Sequence, residues 1–148
     1  MSGPRLLVKD LMRPHVVTIA MDNILRDARQ IFDRRRFHHL VVIEKGRPVG
    51  VVSDRDLLKN ISPFIGGLSE KPRDVATLKK RIHQIMTRKL VSIGPESPAN
   101  EAAHLMIERN VSCLPVIDKK EKLLGIITPH DLLRLVVYNE DLSKQSVT

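Results

Sequence analysis

The chain contains an internal duplication, and this repeat limits the possible fold more than any other feature of its 148 residues. Residues 10–58 recur as residues 84–133 at a shift of 74 residues, and one insertion raises the shift to 75, so that Gly50–Asp56 recurs as Gly125–Asp131. A repeat of about 50 residues can form one folding unit, and two related units commonly pack about a pseudo-twofold axis. We therefore expect a ligand to bind in the cleft between two related units.

The repeats share one predicted order of elements: helix, strand, helix, strand, strand, helix. In repeat 1 the β-branched run Val16–Ile19 predicts a strand, and Asn23 is placed to cap the next helix. In repeat 2, Ser97 predicts an N-cap and Pro98 the first helical residue. Residues 74–86, which lead into repeat 2, also predict a helix. These patterns are typical of an α+β fold.

The repeat boundaries predict two domains joined by a turn-rich linker. We expect the first domain over residues 7–60, the linker over 61–78, the second domain over 79–139 and a polar tail over 140–148.

The composition suits a soluble protein with anionic partners. The formal net charge of +8 and the pI near 10.0 favour nucleotides, nucleic acid or acidic protein surfaces, although solvated lysines also explain such a charge. The basic runs Arg34–Arg36 and Lys79–Arg81 lack neighbouring aromatic residues for base stacking and are more typical of solvated helix faces. Cys113 is the only cysteine, and no segment has the pattern of a signal peptide or a membrane span. We expect a cytoplasmic protein.

The motif Gly-hydrophobic-hydrophobic-Ser/Thr-x-x-Asp occurs once in each repeat. Ser53 and Thr128 are predicted to end a strand, with Asp56 and Asp131 one helical turn later. This spacing puts a hydroxyl and a carboxylate on the same side of a strand-to-helix junction, where the carboxylate can accept hydrogen bonds from the two hydroxyls of a ribose. The same spacing is also that of a capping box, which would make these residues purely structural.

The duplicated motifs resemble those of the cystathionine-β-synthase (CBS) domain family, arranged as the tandem pair called a Bateman module. The resemblance covers nearly the whole chain and includes the following matches: Met12 with Met86, Leu40–Glu44 with Leu114–Asp118, and the two Gly-x-x-Ser/Thr-x-x-Asp stretches. It implies a regulatory module that binds AMP, ADP, ATP or S-adenosylmethionine between its repeats and needs no cofactor. It also implies a homodimer that signals to a protein partner by a change of conformation.

The resemblance also implies which residues contact the ligand. Ser53 with Asp56, and Thr128 with Asp131, would hold two riboses. The first strands would contact adenine through backbone groups and apolar side chains: Val17, Thr18 and Ile19 in repeat 1, and Val91, Ser92 and Ile93 in repeat 2.

Basic side chains near these motifs predict a phosphate contact, and the two repeats differ in them. His38 and His39 precede the second strand of repeat 1, and Arg55 begins the helix that follows the hairpin, with His130 as its counterpart. Repeat 2 has Ser112 and Cys113 in place of the histidine pair. Family members often carry basic residues at this position, whereas the histidines could equally be a half-packed pair at a strand edge. This asymmetry argues against two equally good phosphate sites, and we expect one site to be occupied and the other to be empty or to take adenosine only.

No residues with the spacing of a metal site, a catalytic triad or a pair of catalytic acids stand out, so we expect no enzyme activity. Cys113, on a predicted strand, is more typical of a buried small hydrophobe than of a nucleophile. Two alternatives to a ligand sensor stay open. One is a nucleic-acid-binding protein that uses the positive charge, and the other is a structural dimerisation protein without a ligand.

Overall fold

A computed structural model describes residues 5–145 of the chain, with side chains up to residue 139. The chain divides into two compact units. We call residues 17–90 the central unit, and residues 1–16 together with 91–148 the terminal unit. The α+β class predicted from the sequence is confirmed, because helices alternate with two small sheets.

The central unit is built on a three-stranded sheet. Strand β1 (Thr18–Ala20) runs parallel to β2 (His39–Glu44), which pairs antiparallel with β3 (Arg47–Ser53). The turn between β2 and β3 is Lys45-Gly46, and both residues have positive φ, as a tight two-residue hairpin turn requires.

Short helices and turns complete the central unit. They are α2 (Leu25–Arg34), α3 (Asp54–Asn60), α4 (Pro72–Ala76) and two 3₁₀ turns, Thr77–Lys79 and Ile82–Gln84. The apolar faces of these elements and of the sheet form one core, whose buried residues are Ile19, Leu25, Ala28, Leu40, Val42, Val52, Leu57, Ile82 and Met86.

The terminal unit has a smaller sheet, in which β4 (Leu114–Ile117) pairs antiparallel with β5 (Leu123–Ile127). Its helices are α1 (Val8–Leu11), α5 (Ala99–Arg109) and α6 (Pro129–Gln145). The core of this unit contains Val8, Leu11, Ile93, Ala99, Ala102, Met106, Leu114, Val116 and Ile127. Helix α6 continues into the predicted polar tail as far as Gln145, and residues 146–148 lie outside the described residues.

Each unit combines the sheet of one repeat with the lead-in segment of the other. The first lead-in, residues 7–13, docks on the terminal unit, where Arg13 exchanges two backbone hydrogen bonds with Ile126 at 2.9 and 3.0 Å. The second lead-in, residues 81–87, docks on the central unit, where Thr87 exchanges the equivalent bonds with Val51 at 2.9 and 3.2 Å. The predicted domain ranges are those of the sequence repeat. The compact units differ from them because each unit takes its lead-in from the other repeat.

The glycine of each motif lies where a lead-in passes close to β3 or β5. A Cβ atom on Gly125 would stand 2.7 Å from the carbonyl oxygen of Arg13 and 2.8 Å from the sulfur of Met12. A Cβ atom on Gly50 would stand 2.5 Å from the carbonyl oxygen of Thr87. Glycine is therefore needed at both positions because backbone occupies the space of a side chain.

Two predicted helix caps are wrong. Asn23 does not cap α2, which begins at Leu25. Its side-chain oxygen accepts from the backbone N–H of Ala20, and the carboxylate of Asp27 reaches back to the N–H of Ile24 instead. Helix α5 begins at Ala99, and its N-cap is Pro98 rather than Ser97.

The first strand predicted in repeat 2, Val91-Ser92-Ile93, does not form. Ile93 alone joins the sheet, through one parallel bridge to Val116. Extending this ladder toward Val91 would require the backbone N–H of residue 115, which is a proline and has none. In repeat 1 the equivalent residue is Val41, and β1 pairs with β2 there.

The helix predicted over residues 74–86 is also wrong as a continuous element. It is replaced by α4 and the two 3₁₀ turns. Between the turns the backbone is extended, because the carbonyl of Lys80 accepts from the N–H of Leu25 at 2.9 Å and Arg81 bridges Ile24. Docking of the second lead-in on α2 therefore interrupts the helix.

Candidate ligand-binding site

The β3–α3 junction of the central unit holds the first predicted ribose contact. Ser53 is the N-cap of α3, and its hydroxyl accepts from the backbone N–H of Asp56 at 3.0 Å. In return, Oδ2 of Asp56 accepts from the N–H of Ser53 at 2.9 Å. The two side chains form the capping box that the spacing also predicted. This bond uses Oδ2 and leaves Oδ1 of Asp56 outside the box.

Aspartates at the third helical position cap most helices of this protein. Their carboxylates accept from the backbone N–H three residues earlier at 2.8 to 3.0 Å in α1, α2, α3, α4 and α6; the residues are Asp10, Asp27, Asp56, Asp74 and Asp131. The Ser/Thr-x-x-Asp spacing is therefore fully explained by helix capping. A ligand role must be judged from the acceptor atoms that remain after capping.

The β5–α6 junction of the terminal unit has the same capping box but different neighbouring side chains. Oδ2 of Asp131 accepts from both the N–H and the hydroxyl of Thr128, at 3.0 and 3.2 Å. Its Oδ1 accepts from Nε of Arg13 at 3.1 Å. The side chain of Asp131 is 7% exposed and that of Arg13 is 49% exposed. Both oxygens of this buried carboxylate are thus already paired within the protein.

The two histidines of repeat 1 lie beside the central junction and differ in their surroundings. His38 is exposed, and its Nδ1 lies 2.7 Å from Oδ2 of Asp54, at the start of α3. His39 begins β2 and is half-buried. Burial lowers the pKa of His39 from its ordinary value of 6.5, with Asp54 opposing the shift. Arg55 is exposed at the same helix start. The structure therefore gathers three basic side chains at the central junction.

The matching positions of the terminal unit have a different chemistry. Cys113, the counterpart of His39, is buried, and burial together with the charge of Asp131 raises the pKa of its thiol to about 12. His130, the counterpart of Arg55, is exposed. Asp54 itself has Pro129 as its counterpart, so the terminal unit has no carboxylate at that position.

The residues predicted to contact adenine differ in their burial. Ile19 and Ile93 are buried in the central and terminal cores. Val17 and Val91 pack against these cores and are only partly buried, while Thr18 is partly buried on β1 and Ser92 is exposed. The side chains of Ile19 and Ile93 therefore pack in the cores, and the prediction of adenine contacts at these two residues is limited to their backbone groups.

Sequence reasoning missed two site residues, Arg13 and Asp54. Arg13 lies 118 positions before its partner Asp131, and only the exchange of lead-ins brings them together. The sequence does contain one indication of Arg13. At the shift of 74 residues Met12-Arg13 aligns with Met86-Thr87, so this cation has no counterpart in repeat 2. Asp54 carries no sequence signal beyond that of an acidic residue in the first turn of a helix, and its contact with His38 joins residues 16 positions apart.

Comparison with known families decides the assignment. The CBS domain family model matches residues 8–63 and 82–138, which covers both repeats. The chain belongs to the CBS domain family. A CBS domain-containing protein of Dictyostelium discoideum is 38% identical over 135 residues, which are 90% of this chain and 92% of that protein. The resemblance predicted from the sequence is confirmed.

Two solved CBS structures with bound adenosyl compounds are similar to this chain. The CBS domain pair of protein MJ0100, in complex with 5′-methylthioadenosine and S-adenosyl-L-methionine, is 29% identical, with a TM-score of 0.74 over 92% of this chain and 99% of that chain. The cytosolic domain of the Mg²⁺ channel MgtE, in complex with ATP, is 26% identical, with a TM-score of 0.65 over 84% of this chain and 46% of that chain.

Two further findings concern residues 5–145 only. Within that range no helix combines the length and the apolar character needed to cross a bilayer. No three His, Cys, Asp or Glu side chains of this part of the CBS pair are grouped closely enough to hold a metal ion.

Proposed function

We propose that this CBS pair is a regulatory module that binds an adenosyl ligand and passes the binding event to a protein partner. The observation that carries the proposal is the similarity along almost its whole length to a CBS pair solved with two adenosyl compounds. The chain supplies a carboxylate at a strand-to-helix junction in each unit, which is the group needed to accept hydrogen bonds from a ribose. The junctions would be ligand sites, with AMP, ADP, ATP and S-adenosylmethionine as candidate ligands.

The central unit offers the more available carboxylate. Oδ1 of Asp56 lies outside the capping box, and the side chain is partly exposed. A ribose hydroxyl that donates to this oxygen would leave the cap of α3 intact. The charge-assisted hydrogen bond formed in this way is stronger than one between neutral groups.

The basic residues of the central junction would receive a phosphate. Because burial lowers the pKa of His39, this ring is mainly neutral at pH 7 in the absence of ligand. A phosphate placed nearby would favour the protonated ring, so nucleotide binding would be coupled to proton uptake. His38 would also have to exchange part of its interaction with Asp54 for the phosphate.

Signalling would follow from a shift between conformations that differ in ligand affinity. We propose no catalytic step for this chain, and the partner that responds would be another protein. A homodimer in the cytoplasm is part of the proposal. Helix α6 exposes Leu133, Val136 and Val137 to solvent, and these neighbours on one helical face would suit a contact with a second copy.

A ligand screen followed by one matched pair of variants tests the proposal. Thermal unfolding with AMP, ADP, ATP, S-adenosylmethionine, NAD and GTP should show stabilisation that grows with the concentration of an adenosyl ligand. The replacement Asp56→Asn keeps an acceptor for the N–H of Ser53 but removes the charge, and should weaken that ligand roughly tenfold. Asp27→Asn changes the same capping position on α2 and should not alter affinity. Equal affinity in all three proteins would contradict the ribose role of Asp56.

The phosphate contact needs its own test. Replacement of both His38 and His39 by alanine should weaken AMP or ATP much more than adenosine, measured by isothermal titration calorimetry at pH 6.5. Equal losses for adenosine and AMP would show that these histidines do not contact phosphate.

A further inference from the structure

The ion pair between Arg13 and Asp131 has no counterpart in the central unit. The backbone of Arg13 bridges Ile126 in the same way that the backbone of Thr87 bridges Val51. The two lead-ins thus dock alike on β5 and β3. At this docking position only the terminal unit receives a guanidinium, because Thr87 stands where the first lead-in has Arg13. The guanidinium of Arg81 in the second lead-in donates to the carbonyl oxygen of Asp22 instead.

The hydrogen bonds of Asp131 determine which of its oxygen atoms a ligand can use. Oδ2 already accepts from two donors of Thr128, and Oδ1 accepts from Nε of Arg13. Oδ1 keeps a second acceptor position, but the side chain of Asp131 is only 7% exposed with Arg13 beside it, so a ribose hydroxyl needs Arg13 to move aside in order to reach this oxygen. Arg13 is free to move in this way, since its side chain is half exposed and its place on the sheet is fixed by backbone bonds.

We propose that Arg13 gates the terminal unit and makes it selective for phosphorylated adenosyl ligands. The inference rests on the proposed function of Asp131 as a ribose acceptor. A phosphate offers Arg13 a new anion in exchange for the carboxylate, so the guanidinium stays paired when the ribose binds. Adenosine offers no anion and must break the ion pair without replacing it. S-adenosylmethionine carries a carboxylate, but its ammonium and sulfonium leave it with a net positive charge, which disfavours a place beside Arg13.

The two units would then differ in how their affinity depends on the charge of the ligand. The central unit accepts adenosyl compounds with or without phosphate, because its lead-in has the uncharged Thr87 at the position of Arg13. The terminal unit binds AMP, ADP or ATP in preference to adenosine. On titration, adenosine should therefore fill the central unit before the terminal unit.

Calorimetry on an Asp56→Asn background reports mainly on the terminal unit, because the central site then binds about tenfold more weakly. With Arg13 present, AMP should bind at least fivefold more tightly than adenosine, which is the factor that about 1 kcal/mol from an ion pair with one half-exposed partner supports. Adding Arg13→Gln should strengthen adenosine and weaken AMP, so that the preference disappears. Glutamine keeps the first three carbons of the arginine side chain and a polar end but removes the charge, and the melting temperature of each variant checks that the unit stays folded.

The reciprocal variant Thr87→Arg offers the central unit the same cation. On an Asp131→Asn background it should weaken adenosine relative to AMP. If Arg13→Gln and Thr87→Arg both leave the ratio of the two affinities unchanged while binding still depends on Asp56 and Asp131, the gate is refuted and the proposed function stands. If no adenosyl compound binds to the unmodified protein or to any variant, both proposals are wrong.

Discussion

The central and terminal units have the same backbone plan and a different chemistry at the same junction. In both, a lead-in pairs with the strand that carries the motif glycine, and an aspartate caps the helix that follows. The central junction adds two histidines and Asp54, whereas the terminal junction adds Arg13 and a buried cysteine. Duplication thus preserves the groups that hold the backbone, while the side chains around the carboxylate have diverged.

The largest expected effect comes from the motif glycines, where the two units should behave alike. Replacing Gly125 by alanine pushes a methyl group against the backbone of Arg13, and Gly50→Ala does the same against Thr87. Each should reduce the free energy of unfolding by about 3 kcal/mol, the upper range for overpacking. Urea denaturation measures the loss. Gly46→Ala is a matched control for the change of residue, because nothing lies within 4 Å of its added Cβ and only the strain of its positive φ is tested.

A loss below 1 kcal/mol in both motif variants would show that the lead-ins can move off the sheets at little cost. A large loss in one variant only would show that the two lead-ins contribute unequally to their units.

Replacing the capping aspartates should destabilise the two units to different extents, with smaller losses of unfolding free energy than the glycine variants give. Asp131→Ala leaves both the N–H of Thr128 and the guanidinium of Arg13 without the carboxylate, so we expect a loss of about 2 kcal/mol. Asp56→Ala removes only the capping box and should cost about 1 kcal/mol. Thermal and urea unfolding of the two variants give the comparison. Equal losses would mean that the pair with Arg13 contributes nothing to stability.

The smallest expected effect concerns the pH dependence of stability at His39. Since burial lowers its pKa below 6.5 in the folded protein, the unfolded chain takes up a proton at a higher pH than the folded chain does. The contribution of neutral His39 is therefore complete above pH 6.5 and is lost as the pH falls below that value. Unfolding experiments between pH 5 and 8 should show a shallower pH dependence for His39→Gln.

The exposed His104 on α5 provides the control for that measurement, because His104→Gln removes a histidine from the surface of the other unit. If His39→Gln and His104→Gln give the same pH dependence as the unmodified protein, burial of His39 does not affect stability. The equivalent position in the terminal unit, Cys113, titrates only near pH 12 and adds no pH dependence in this range.

Much of the fold could be predicted because local patterns and the repeat agree. The hairpin strands ending at Ser53 and the helix Asp54–Asn60 follow from β-branched residues, turn residues and first-turn acids. The failures have a tertiary origin. One missing N–H at Pro115 prevents the strand at Val91–Ile93, and the docking of Lys80 on α2 interrupts the predicted helix.

The candidate site was predictable in part for the same reason. Repetition identified Ser53, Asp56, Thr128 and Asp131, since each appears at an equivalent position. It could not show which lead-in reaches which sheet, because both arrangements have the same sequence pattern. The pairing of Arg13 with Asp131 depends on that choice.

The exchange of lead-ins has a consequence for any attempt to divide the protein. A cut between the repeats yields two fragments, and each keeps the lead-in that belongs on the other fragment's sheet. In neither fragment can the correct lead-in pack against the motif glycine, Gly50 or Gly125. Each fragment is therefore expected to lack part of its fold when it is alone. The fragments should instead associate and restore both units by complementation. The central unit is contiguous in the chain as residues 17–90, whereas the terminal unit alone would need residues 5–16 to be joined to residues 91–145.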